Sequence, residues 1–137
     1  MAILLDSSAV LAAAYQSDLN HRAALAWFGR VDEPLMIGAL TLAELDLLLQ
    51  RELGLRATFA LLASIASGGI RVVAPTTADL IRATELMRET IEYRPRLTDA
   101  VLVATAERLG VTRVAVFDRP PIAIFRPKHV RALDLEP

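Results

Sequence analysis

Four acidic residues stand where a carboxylate can do more than face solvent: Asp6, Glu44, Asp99 and Asp118. Asp6 follows the apolar run Ile3-Leu4-Leu5 and Asp118 ends Val114-Ala115-Val116-Phe117, so each closes a stretch with the character of a buried strand. Glu44 and Asp99 fall in the opening turns of two segments of helical period. Each acid also has an ordinary structural use. Asp6 can cap a helix that starts at Ser7-Ser8. Thr41-Leu42-Ala43-Glu44 has the spacing of a capping box, Asp99 would favour a helix dipole, and Asp118 before Arg119-Pro120-Pro121 suits a turn. Taken together, two strand ends and two helix starts point to one shared site, because ligands of an open parallel sheet bind outside the carboxyl ends of its strands.

Gathering carboxylates is costly. Two unit charges about 4 Å apart repel by roughly 4 kcal/mol at an effective dielectric near 20, which is a large part of a small domain's stability. A cation has to offset that repulsion. An all-oxygen donor set suits Mg²⁺ or Mn²⁺, which bind through a few carboxylates and leave other positions to water and phosphate. The chemistry expected of such a site is hydrolysis of a phosphodiester.

The elements that must position these acids follow from the hydrophobic pattern. Short apolar runs at Ala2–Leu5, Leu35–Ala39, Ile70–Ala74 and Arg113–Phe117 read as strands, with Val130–Leu135 as a further edge strand. Between them Ser8–Gln16, Asn20–Arg30, Thr41–Leu53, Arg56–Ser67, Thr77–Glu89 and Thr98–Leu109 read as helices, several ended by glycine. Such alternation predicts an α/β fold with a largely parallel sheet. Tyr93-Arg94-Pro95-Arg96 reads as an irregular connection. Trp27, Phe28, Leu45, Leu48 and Leu49 form an apolar stripe, read as core in preference to an interface. No repeat or linker divides the 137 residues, so residues 1–137 are expected to form one domain.

Composition narrows the classes. The chain is 54% hydrophobic, with a mean hydropathy of +0.41, yet its longest uncharged stretch, residues 57–70, falls short of the roughly 18 apolar residues of a membrane span. The N-terminus has no basic region, so no secretory signal is expected and a cytoplasmic location is. The absence of cysteine excludes a disulfide framework and thiolate chemistry. A net charge of −1 excludes binding of nucleic acid through overall positive charge, but 14 of the 15 basic residues are arginine, whose planar fork suits phosphate. Arg94, Arg96 and Arg119 lie near two of the acids in sequence and are candidate phosphate contacts. His21 and His129 are far apart and pair with no nucleophile.

The segments Leu4-Leu5-Asp6-Ser7-Ser8-Ala9, Leu42-Ala43-Glu44-Leu45, Leu97-Thr98-Asp99-Ala100 and Val116-Phe117-Asp118-Arg119 together resemble the PIN domain, in the order and spacing of VapC-type toxins of bacterial toxin–antitoxin pairs. The resemblance runs from Ile3 to about Phe125. It implies a three-layer α/β/α sandwich, an endoribonuclease dependent on Mg²⁺ or Mn²⁺, a homodimer, and a cognate antitoxin that holds the enzyme inactive. Asp6, Glu44, Asp99 and Asp118 take the places of the family's acidic site, and Ser8 that of a supporting residue. The chain departs from the family at Val116, where many relatives carry threonine or serine, and at Arg119-Pro120-Pro121, where many carry a further acid. Glu92 stands where many have aspartate, and whether it joins the site is open.

Other classes fit less well. A phosphoacceptor domain would show an adjacent acidic pair before the first helix, and a phosphatase of the haloacid-dehalogenase type would have aspartate where Ser8 stands. No glycine-rich phosphate loop is present. A PIN-like module that binds RNA or protein without cutting is the remaining alternative.

Overall fold

A computed structural model of the chain describes all 137 residues. Its frame is a five-stranded, wholly parallel sheet made of β1 (Ile3–Leu5), β2 (Leu35–Gly38), β3 (Arg71–Val73), β4 (Arg113–Ala115) and β5 (Asp134–Glu136), in the order β3-β2-β1-β4-β5. Ile3, Leu4 and Leu5 pair with Leu35, Met36 and Ile37 on one side and with Arg113, Val114 and Ala115 on the other. The chain therefore builds outward from β1 in one direction and then returns to β1's other edge. That reversal leaves a crevice at the carboxyl end of β1, where open α/β sheets bind ligands.

Parallel strands need crossovers, and helices supply them. The first two contain α1 (Ser7–Ala14), α2 (His21–Arg30), α3 (Ala39–Leu53) and α4 (Leu55–Ala66); the third contains α5 (Thr77–Glu89), a 3₁₀ turn at Ile91–Tyr93, and α6 (Leu97–Leu109); the last contains α7 (Pro120–Ala123). The side chains of the strands divide with a period of two. Leu4, Met36 and Val114 face Ala83, Leu86 and the Ala100–Ala106 stretch of α5 and α6. Ile3, Leu5, Ile37 and Ala115 face Ala9, Trp27, Leu45, Leu49 and Leu61 of α1 to α4. Helices on both faces give the three layers expected from the resemblance. Both faces of the sheet being covered accounts for the strands reading as unbroken apolar runs.

Several boundaries differ from the sequence expectation, each for a local reason. α3 begins at Ala39 with Gly38 as its N-cap, so Thr41 lies inside the first turn and the expected capping box with Glu44 does not form. A capping box forms instead at Thr76 and Asp79, which opens α5. β4 ends at Ala115, two residues earlier than expected, because the Phe117 and Asp118 amides turn away to the Ser8 hydroxyl. α7 was not anticipated: Pro120 and Pro121 occupy its first two positions, where proline loses no helical hydrogen bond. The edge strand is three residues, Asp134–Glu136, rather than Val130–Leu135. It is pinned by Glu136, which accepts from Trp27 Nε1 at 3.0 Å and pairs with Arg113, itself bound to Glu33 at 2.7 Å.

Of the apolar stripe, Trp27, Leu45 and Leu49 are buried, as the core reading expected, while Phe28 and Leu48 are half-buried. No helix is long and apolar enough to cross a membrane.

Candidate metal centre

Asp6 is the N-cap of α1 and lies one residue beyond β1, its amide bonded to the Ala115 carbonyl at 2.9 Å. It is 5% exposed. The capping reading of Asp6 thus holds. Ser8 donates to Asp6 Oδ2 twice, from its amide at 3.0 Å and its hydroxyl at 2.5 Å. The same hydroxyl oxygen accepts from the amides of Phe117, at 2.9 Å, and Asp118, at 3.2 Å. Ser8 therefore ties the first acid to the chain that leaves β4.

Asp99 sits in the first turn of α6 and is 1% exposed. Arg96, the residue before that helix, donates from Nε to Asp99 Oδ2 at 2.8 Å, and its Nη1 lies 3.5 Å from Glu44 Oε1. Glu44, in the second turn of α3, keeps a quarter of its side chain exposed. The three carboxylates share one electrostatic neighbourhood. Burial pushes Asp99 up from 3.8 to about 6, with the charges of Asp6 and Glu44 adding to the rise and the Arg96 bond opposing it. Burial likewise raises Asp6, against the Ser8 hydrogen bonds and Arg96. Glu44 is raised by burial and by Asp6, with Arg96 acting the other way.

Arg96, by sequence a candidate phosphate contact, is thus the cation among three acids. Its spacing of three from Asp99 on one helix turn is the signal that could have revealed this. As placed, no three of the acids stand close enough together to hold one ion. The donor set nevertheless fits a hard divalent cation: oxygen only, two members buried, and all three raised chiefly by burial even with Arg96 beside them.

Asp118 stands apart. Its backbone is held by Ser8, but its carboxylate is exposed, and the charges that shift the other three acids are their own and that of Arg96. The early end of β4 is the cause: Asp118 lies three residues past the strand and not directly at its end. A cavity of about 290 Å³ opens on Asp99 and Arg96 between Tyr93-Arg94-Pro95 and Pro120-Pro121. Glu92 lines a different, outer cavity and not this one. Arg94 is exposed at φ 51°, and Arg119 is engaged with the Pro137 carbonyl.

The sequence of residues 3–121 matches the model of the PIN domain. The chain belongs to the PIN domain family. Among other PIN proteins, ribonuclease VapC26 of Mycobacterium tuberculosis is 25% identical over 125 residues, which cover 91% of this chain and 93% of that protein. The crystal structure of VapC20 from Mycobacterium tuberculosis, described as a toxin that cleaves the sarcin–ricin loop, superposes with a TM-score of 0.82 at 27% identity, covering 94% of this chain and 98% of that one. A toxin–antitoxin complex from Klebsiella pneumoniae superposes with a TM-score of 0.65 at 16% identity over 88% of this chain and 90% of that one, a likeness of fold. In this PIN domain the matched span takes in the crevice at β1 and all four acids expected to share it.

Proposed function

We propose that this PIN domain is a metal-dependent endoribonuclease, the toxin of a toxin–antitoxin pair, in which Asp6, Glu44 and Asp99 hold Mg²⁺ or Mn²⁺ and Asp118 completes the set from its exposed loop. One observation carries the proposal: two buried carboxylates and a half-buried third share a crevice whose one paired cation is the half-exposed Arg96. The ribonuclease named among its relatives supports RNA as the substrate.

The chain's own groups have separable tasks. Ser8 fixes the Asp6 carboxylate and the Asp118 backbone with one hydroxyl. Asp99 brings a charge to the mouth of the cavity, at the favourable end of the α6 dipole. Arg96 compensates the acids in the absence of a divalent ion, and its long, half-exposed side chain can turn outward to meet phosphate when one binds. When bound, such an ion lowers the pKa of water and neutralises charge that builds on a phosphodiester under attack.

The partners follow the same reading. An apolar groove of about 420 Å³ between α1, α3 and α4, lined by Val10, Ala14, Leu53 and Ala57, offers an antitoxin segment a place to bury side chains. A homodimer is proposed on the family resemblance. The exposed Asp118 favours one second reading, a PIN domain that binds RNA without cutting it.

Incubating the pure protein with RNA containing a sarcin–ricin loop, with tRNA and with unstructured RNA separates the two. The ribonuclease reading expects discrete cuts with Mg²⁺ or Mn²⁺ that vanish with EDTA and in Asp6→Asn. Binding without cuts under every metal condition would establish the module reading instead.

A further inference from the structure

Beyond the acids the surface continues as a groove. The inner cavity, about 290 Å³, and an outer one of about 930 Å³ share Tyr93, Pro120 and Ile124 as walls, so the two adjoin. The outer volume lies within the roughly 300–1,000 Å³ of pockets that take up small ligands. Tyr93 is the aromatic residue of both walls, is 63% exposed, and has no aromatic neighbour stacked on it. Its position is fixed by the 3₁₀ turn Ile91–Tyr93 on one side and Arg94-Pro95 on the other. Pro120 and Ile124, on α7 and just beyond it, face it with apolar surface.

Charge is distributed along the same groove. Arg94 lines the inner cavity and Arg126 the outer one; both are exposed, and neither takes part in any of the chain's ion pairs. Most other arginines near carboxylates are engaged, as Arg82 is with Glu107 and Arg108 with Asp79. Glu89 on the outer wall lies 3.9 Å from Arg82, which leaves Glu92 as the one acid there without a cation. A polyanion following this groove would find cations at its inner and outer parts, with a ring between apolar walls along the way.

We propose that this groove carries the RNA strand away from the carboxylates, with one unpaired base stacked on Tyr93 and flanking phosphates held by Arg94 and Arg126; the proposal rests on the ribonuclease reading above. Stacking on an aromatic ring requires a base out of its helix, and single-stranded segments and loops are where proteins read RNA in that way. A duplex would present phosphates to the arginines but no face to the ring. The groove therefore distinguishes an unpaired nucleotide beside the cut from a paired one.

The test measures binding in EDTA, where no cleavage occurs, and cleavage with Mn²⁺, using a fluorescent single-stranded RNA that spans the cut and the same RNA annealed to its complement. Wild type, Tyr93→Ala, Tyr93→Phe and Arg126→Ala are compared. Loss of one stacked base predicts roughly 5- to 100-fold weaker binding of single-stranded RNA by Tyr93→Ala, a raised KM with kcat little changed, and near-wild-type behaviour of Tyr93→Phe. Arg126→Ala reduces the slope of log affinity against log salt by about 0.7. Affinity unchanged in Tyr93→Ala, or lost equally in Tyr93→Phe, overturns the stacking site, as does equal binding of the annealed duplex. A wild type that cuts with metal while Tyr93→Ala matches it refutes the groove alone. A wild type that neither binds nor cuts RNA refutes the ribonuclease reading itself.

Discussion

Replacing Asp99 by asparagine is expected to stabilise the metal-free protein, against the usual cost of altering a buried hydrogen-bonded residue. Asp99 is raised from 3.8 to about 6 by burial, reinforced by Asp6 and Glu44, although Arg96 bonds it at 2.8 Å. That displacement corresponds to at most about 3 kcal/mol against the ionised form, and solvent screening through the cleft at Arg96 reduces it to about 1–2 kcal/mol. Asparagine keeps an oxygen for Arg96 and removes the charge. The sign is set by protons: the folded state holds its proton to a higher pH than the unfolded chain, so the penalty is absent below about pH 3.8, grows as pH rises toward 6, and is complete above it. With an unfolding entropy of roughly 0.3 kcal/mol/K for a chain of this length, Asp99→Asn should melt about 3–7 °C higher than wild type at pH 8 in EDTA. The advantage should shrink as pH falls toward 4. Mg²⁺ should raise the wild-type melting temperature and leave the variant nearly unmoved. A variant that melts lower at pH 8 in EDTA, or whose advantage is the same at pH 8 and pH 4, would refute the assignment of Asp99 as a charge held at a cost.

Other outcomes follow from the same geometry. Arg96→Ala removes the cation beside Asp99 and Glu44, so the metal-free protein should melt lower at pH 8 while Mg²⁺ raises its melting temperature more than it does for wild type; equal increments would show that Arg96 and the ion do not share the acids. Ser8→Ala strands two amides and removes one of the two bonds that hold the Asp6 carboxylate, a loss of roughly 1–3 kcal/mol in urea unfolding, with metal-dependent cleavage falling as well. Asp79 lies below the ordinary carboxylate value: burial works to raise it, but its bonds to Arg108 and Thr76 prevail. Asp79→Asn should therefore cost roughly 1.5–3 kcal/mol at pH 7, and the gap from wild type should close as pH falls below about 4, read from urea midpoints across that range.

How much of this was legible in the sequence depended on the length scale of the cause. The strands β1, β2 and β4 show themselves as apolar runs because both faces of the sheet are covered, and α6 shows itself because it is buried from Asp99 to Ala106 and ends at Gly110 in the left-handed region. Boundaries set by distant partners were not legible. The end of β4 is decided by the Ser8 hydroxyl, 109 positions away in the chain, and no periodicity near Phe117 encodes that bond. The capping box expected at Glu44 failed because Gly38 already starts α3, and it left the Glu44 side chain for Arg96. Residue type and order brought Asp6, Glu44 and Asp99 to one crevice on paper, since strand ends and helix starts are fixed by topology. The direction of the Asp118 side chain is fixed by a loop, and there the sequence showed only departures from the family pattern, at Val116 and at Arg119-Pro120-Pro121, without the resulting geometry.

The distribution of unsatisfied chemistry sharpens the functional reading. Apart from His129 Nδ1, every buried side-chain nitrogen and oxygen has a hydrogen-bond partner, and Asp79, Glu107 and Glu136 all lie below their ordinary values, with arginine bonds among the causes. Elsewhere in the molecule, then, partly buried acids are matched to arginines that favour their charge. Asp6, Glu44 and Asp99 are the three acids held above their ordinary values, and they are neighbours. A sequence able to satisfy acids at three other places leaves three together with one arginine among them, and local rules fail in this way where function competes with stability. Filling that crevice with a second arginine or with asparagines would stabilise the fold. What such a change removes is a concentration of negative charge at the mouth of a groove, which a cation of higher charge than a guanidinium, such as the proposed divalent ion, would offset more fully.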